Sequence, residues 1–158
     1  CRVLVDGAPS SGKTTLLRDL CRILSHHYRV SLIDERQEIA ASYKGIPQND
    51  VGPCCDVFSS YPKDKAVETA VRVMSPDIIV CDEIGNDNDL RVIKKAANSG
   101  VSIIASVHSG SQEELIRKSS ITELIKSGIF RFVVFMDAAA KSADVKEAEE
   151  ISFILNCS

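Results

Sequence analysis

The chain has 158 residues, a net charge of −3, 44% hydrophobic residues and 26% charged ones. That length suits one domain with a core of its own, and no apolar stretch approaches the roughly 20 residues of a bilayer span. There is no long basic run, so strong nucleic-acid binding is not expected, because neutralising phosphates needs clustered Lys and Arg.

In chain order, the first strand is expected at Val3–Asp6. It begins at once and without an initiator Met, as in a motor portion cut from a longer polypeptide with its N-terminal part missing. A helix follows, with Leu16, Leu17, Leu20, Ile23 and Leu24 on one face. A second strand, Val30–Asp34, runs into Glu35 and Arg36. The connection from Arg36 to Tyr61 contains Gly45, Pro47, Gly52 and Pro53 and shows little periodicity; connections this long inside a domain are usually functional. Ala66, Val67, Ala70, Val71 and Met74 mark a second helix, and Ile78–Asp82 a third strand. A third helix carries Leu90, Ile93, Ala96 and Ala97, with Gly100 as its stop. The strand Val101–Val107 leads to His108, and Ser111 with Glu114 reads as a capping box opening a fourth helix. Phe132–Met136 is a further strand. The polar, alanine-rich tail Ala138–Glu150 reads as a loop or short helix, and Ile151–Leu155 as a last strand candidate. Near-continuous apolar strands alternating with amphipathic helices predict an α/β fold with a mostly parallel central sheet flanked by helices. Cys1, Cys21, Cys54, Cys55, Cys81 and Cys157 lack CxxC spacing. They read as reduced thiols of a cytosolic protein rather than a zinc or disulfide framework.

Gly7-Ala8-Pro9-Ser10-Ser11-Gly12-Lys13-Thr14 matches G-x-x-x-x-G-K-[ST] between a strand and a helix. Glycines allow a tight turn whose N–H groups point at phosphates, and the helix N-terminus adds its dipole. The expected nucleotide-binding set is therefore Gly7, Ala8, Pro9, Ser10, Ser11, Gly12, Lys13, Thr14 and Thr15. Lys13 would reach the β- and γ-phosphates of ATP, and the Thr14 hydroxyl would ligate Mg²⁺. The third strand ends in Asp82-Glu83. Two acids at a strand end are common by themselves; beside a P-loop, Asp82 suits a magnesium site and Glu83 the general base for an attacking water. Such a base separates hydrolases from P-loop kinases. In a parallel sheet all carboxyl ends share one edge, so Glu35 or Asp34 could help hold metal or water, and His108 could donate to the γ-phosphate. A lone His after a strand is more often a local cap or a solvated group.

These residues resemble the stage III sporulation protein AA family, relatives of the type II and type IV secretion ATPases, over Val3 to about Phe135. The resemblance is carried by Gly7–Arg18, Asp34-Glu35-Arg36 with Glu38-Ile39-Ala40, Gly45–Pro53, Ser75–Gly85, Ala97–Gly100 and Ala105–His108. It implies a RecA-like P-loop NTPase of the ASCE type over residues 1–158. It also implies that Asp34–Glu38 corresponds to the secretion ATPases' acidic box and His108 to their histidine box, which favours Glu35 and His108 as catalytic residues beside Lys13 and Glu83. The expected assembly is a homo-oligomer, a hexameric ring at the cytoplasmic face of a membrane in the mother cell. Its partners would be the channel-complex proteins of the sporulation apparatus. One departure stands at Cys54-Cys55, where the family pattern has Arg-Thr. If that arginine serves a neighbour's nucleotide, the contact must come from elsewhere. The alternative function is a nucleotide-gated assembly scaffold with little turnover. A small-molecule kinase is disfavoured by the lack of an arginine-rich lid, and a nucleic-acid motor by the charge.

Overall fold

The alternation of apolar strands and amphipathic helices builds a seven-stranded sheet in the order β3-β2-β4-β5-β1-β6-β7. In this computed structural model the described residues are 1–109, 111–137, 139 and 142–148. The strands are β1 (Arg2–Gly7), β2 (Val30–Asp34), β3 (Cys55–Ser59), β4 (Ile78–Cys81), β5 (Ser102–His108), β6 (Phe132–Asp137) and β7 (Ser142–Glu147). The helices are α1 (Lys13–Leu24), α2 (Lys63–Thr69), α3 (Asp87–Asn98), α4 (Gln112–Arg117) and α5 (Ser119–Lys126). All neighbouring strands pair in parallel except β6 and β7. No helix among the described residues is long and apolar enough to cross a membrane.

Five strands lie where the sequence places them, to within one residue at either end. Two differ from expectation. β3 emerges from the long connection after Arg36 and pairs with β2 at the sheet edge. Its half-exposed five-residue pattern is too short and too polar to stand out. β7 lies in the tail read as a loop or short helix, where Ser142–Glu147 pairs antiparallel with β6. An edge strand draws its hydrogen bonds from its neighbour, so alanine and charge in its own sequence do not exclude it. The strand expected at Ile151–Leu155 lies outside the described residues.

Successive side chains of each strand enter opposite faces. Leu4, Ile33, Ile79 and Ile103 join the core under α2, α3 and α5. Val5, Leu32, Val80 and Ile104 join a second core with Leu17 and Cys21 of α1. Ile23, expected on the apolar face of α1, is 52% exposed at its rim. The helix read at Ala66–Met74 is composite, α2 passing into a π-helical turn, Ala70–Met74. Cys21 and Cys81 are buried, Cys1 and Cys54 exposed, and all five described cysteines are free thiols.

The long connection is ordered by its contacts with α1. Ile39, Ala40 and Val51 are buried in the α1 core. Arg18 donates to the carbonyls of Ile39 (2.8 Å) and Glu38 (3.0 Å). Gly52, at φ +91, lies so close to the end of α1 that a Cβ would strike the Ser25 hydroxyl and come within 2.8 Å of the Arg22 carbonyl.

Candidate functional site

Register places the site. Ile33, Cys81, Ala105 and Leu4 lie abreast on β2, β4, β5 and β1. One step further along the carboxyl edge the chain presents Asp34, Asp82 and Ser106, and beyond them Gly7 opposite His108.

The loop after β1 is a cradle. At Gly7 a Cβ would meet the Ser11 hydroxyl and lie 2.9 Å from the Met136 Cβ, so the close turn needs glycine. Ser10 and Gly12 take positive φ of 61° and 95°. Gly12 leads into α1 and no side chain caps that helix, which leaves its first N–H groups for an anion. The buried Ser11 hydroxyl has no partner among the described residues. The Lys13 ammonium turns back onto its own loop, donating to the carbonyls of Gly7 and Ala8, the latter at 2.8 Å. Burial holds its pKa below the usual lysine value, against the pull of Asp6, Glu83 and Asp82. Orphan amides, an unpartnered hydroxyl and a partly desolvated ammonium fit a polyphosphate.

A cleft of about 530 Å³ opens over this loop, lined by Pro9 to Thr15 and, across from them, by Arg36, Glu38, Asp82, Glu83 and His108. Pocket volumes in this range hold a nucleotide-sized ligand. Asp82 and Glu83 therefore lie on the same side of the sheet edge as Lys13. Asp82 is buried, accepts from the Ser106 hydroxyl at 2.9 Å, and has its pKa raised, first by burial. Ser106 in turn accepts from the Glu83 N–H at 2.8 Å. The Glu83 carboxylate pairs with Arg36, which also pairs with Glu38 at 3.1 Å. Thr14 and Asp82 both line the cleft, a hydroxyl and a carboxylate whose hard oxygens suit Mg²⁺.

Two acidic candidates fall elsewhere. Asp34 is fully buried, and its carboxylate accepts from the amides of Glu38 (3.0 Å), Ile39 (3.2 Å) and Ala40 (2.8 Å). It folds the loop after β2 rather than facing a metal or water. Glu35 is not among the cleft-lining residues; with Lys63, Gly85, Asn86 and Asp89 it lines an adjoining recess that shares Arg36, Asp82 and Glu83 with the cleft, 3.6 Å from the Lys63 ammonium. Arg36 and Glu38 take the place in the cleft that was expected for Glu35. His108 lines the cleft, and its carbonyl accepts from Lys118. Sequence reasoning missed Ser106, Lys63 and Asp89. A serine in an apolar strand was the available signal for Ser106, since buried hydroxyls seek partners. Nothing in sequence marks Lys63 apart from other helix-start lysines.

Beneath the cradle, Asp6 is 1% exposed and accepts from the Ser109 hydroxyl. Burial raises its pKa, and the Ser109 hydrogen bond opposes this. Because the folded value exceeds the unfolded one, the stability this group contributes is complete below about pH 4 and declines as pH rises through the raised value. Asp6→Asn keeps an acceptor for Ser109 and removes the titration. The variant's stability relative to the parent is expected to climb from about pH 4 to pH 7, read by urea unfolding without nucleotide. A difference that stays flat with pH would show that Asp6 does not titrate in this way.

A mostly parallel sheet with β5 between the loop-bearing β1 and the acid-bearing β4, opened by such a cradle, defines the P-loop ATPase fold of the secretion motors. The VirB11 ATPase of the Brucella suis type IV secretion system, solved in complex with sulphate, superposes with a TM-score of 0.67 at 18% identity. That match covers 99% of this chain and 51% of the other. The pilus retraction motor PilT with bound ADP gives 0.65 at 15% identity, over 96% and 50%. Within that class the chain belongs to the sporulation stage III, protein AA family, whose model matches residues 1–151. It is similar to stage III sporulation protein AA of Bacillus subtilis (strain 168), 38% identical over an alignment of 133 residues that covers 80% of this chain and 43% of that protein. The chain thus spans less than half the length of that relative.

Proposed function

We propose that this chain is the motor domain of a ring ATPase that binds Mg-ATP in the cleft over Lys13 and hydrolyses it, energising or assembling a membrane channel complex during endospore formation. The observation that carries it is the placement of Glu83 and Asp82 across the cleft from Lys13. Sulphate in the VirB11 structure and ADP in the PilT structure support an anion and a nucleotide as occupants of a site of this fold.

The residues divide the work. Ser10, Gly12 and the first residues of α1 present backbone N–H groups, and Lys13 exchanges its two loop carbonyls for the β- and γ-phosphates. Thr14 and Asp82 would hold magnesium, which neutralises charge on the phosphate oxygens when bound. Glu83, released from Arg36, accepts the proton of the attacking water, and Arg36 is then free to face the γ-phosphate. His108 at the end of β5 donates to the same group. Glu35 acts from the neighbouring recess. The family membership supports a homo-oligomeric, hexameric ring at the cytoplasmic membrane face of the mother cell.

One observation favours the alternative of a nucleotide-gated scaffold: both Glu83 and Lys13 are engaged by the protein itself, an arrangement that would keep basal turnover low. Phosphate release and sedimentation of the intact protein, each with and without Mg-ATP, test both readings. Magnesium-dependent release with nucleotide-driven assembly is expected. Assembly without release supports the scaffold, and neither effect would remove both.

A further inference from the structure

The turn that carries Glu83 holds a conformation its side chain disfavours. Glu83 has φ 44°, a region that suits glycine. Side chains from two other elements grip its peptide groups. Its N–H donates to the Ser106 hydroxyl of β5 at 2.8 Å. Its carbonyl accepts from the Lys63 ammonium of α2 at 2.7 Å. Lys63 is 8% exposed, and a buried ammonium is unfavourable unless paired. Its counter-charges are Asp89 of α3 at 3.5 Å and Glu35 after β2 at 3.6 Å. Asp89 also accepts from the amides of Gly85 (3.1 Å) and Asn86 (3.4 Å), the residues that continue the same turn. Packing alone would be met by an apolar side chain at this position. What the ammonium adds is one point that grips the Glu83 backbone, Asp89 and Glu35 together.

We propose that Lys63 is a positioning residue for the general base: through the Glu83 carbonyl it sets the turn that aims the Glu83 carboxylate into the cleft, and it couples Glu35 to that turn. This rests on the ATPase reading above. Lys63 lines the recess beside the cradle and not the cradle itself, so it acts on the base and leaves nucleotide binding alone.

The test uses the intact protein and the variant Lys63→Met/Asp89→Asn. Both buried charges go together, the Glu35 carboxylate that loses Lys63 is half exposed and solvated, and the introduced amide oxygen still accepts from Gly85 and Asn86. A displacement of the base by ~1 Å is expected to lower kcat for Mg-ATP about 10- to 100-fold, with KM changed less than about twofold and circular dichroism unaltered. In a Glu83→Gln background the same pair is expected to cause no further loss, because it acts through the base. Wild-type kcat in the folded double variant would overturn the proposal. So would an equal further loss in the Glu83→Gln background, or a fall in kcat matched by a large rise in KM, either of which marks a merely structural pair. A parent protein that releases no phosphate fails the ATPase reading itself, a result distinct from these, and the proposal falls with it.

Discussion

Glu83→Gln is expected to lower turnover of Mg-ATP by roughly 10²- to 10⁴-fold, the range for loss of a positioned general base, while nucleotide stays bound. The amide is nearly the same size as the carboxylate, so the turn held by Ser106 and Lys63 keeps its shape. What disappears is the capacity to accept a proton from water. The pair with Arg36 weakens as well, but both side chains are substantially exposed, and such pairs contribute little to stability. The cradle residues are untouched, so a fluorescent nucleotide analogue should titrate as in the parent. Turnover at the parental rate would assign the base elsewhere, and loss of binding would mean that the substitution disturbed the cradle.

Asp34→Ala is expected to destabilise the domain by about 3–5 kcal/mol, because three amides lose their acceptor in a dry site. Asp34 has no exposed surface, and Glu38, Ile39 and Ala40 all donate to it. Each orphaned donor costs about 1–3 kcal/mol, less whatever relaxation recovers. That is a large share of the stability of a domain this size. Ile39 and Ala40 are in the α1 core, so the loss spreads from the loop into packing. Urea unfolding with the slope held constant reads the effect. A loss below about 1 kcal/mol would show that the amides find water or other acceptors, and would reopen a role for Asp34 at the nucleotide.

The two substitutions show where sequence and structure part. Asp34, Glu35, Asp82 and Glu83 are two similar acidic pairs at strand ends. In the first pair one carboxylate is buried as an acceptor for a loop and the other pairs with Lys63; in the second both line the cleft over Lys13. Local sequence does not separate them, because the difference lies in which distant amides and cations arrive. The strand ends themselves were legible. Their apolar runs are long and bounded, and a parallel sheet brings every carboxyl end to one edge.

By itself the sequence determined the tight loop after β1, since the turn depends on Gly7, Gly12 and their immediate neighbours in one short segment. It also determined the parallel core, since burial on both faces demands continuous apolar strands. Only the tertiary structure decided that β3 and β7 complete the sheet, that Arg36 and Glu38 rather than Glu35 line the cleft, and that Lys63, Asp89 and Ser106 hold the turn of Glu83. Edge strands take their hydrogen bonds, and buried charges their partners, from residues far along the chain. Such pairings are settled by register and burial, which no local pattern records.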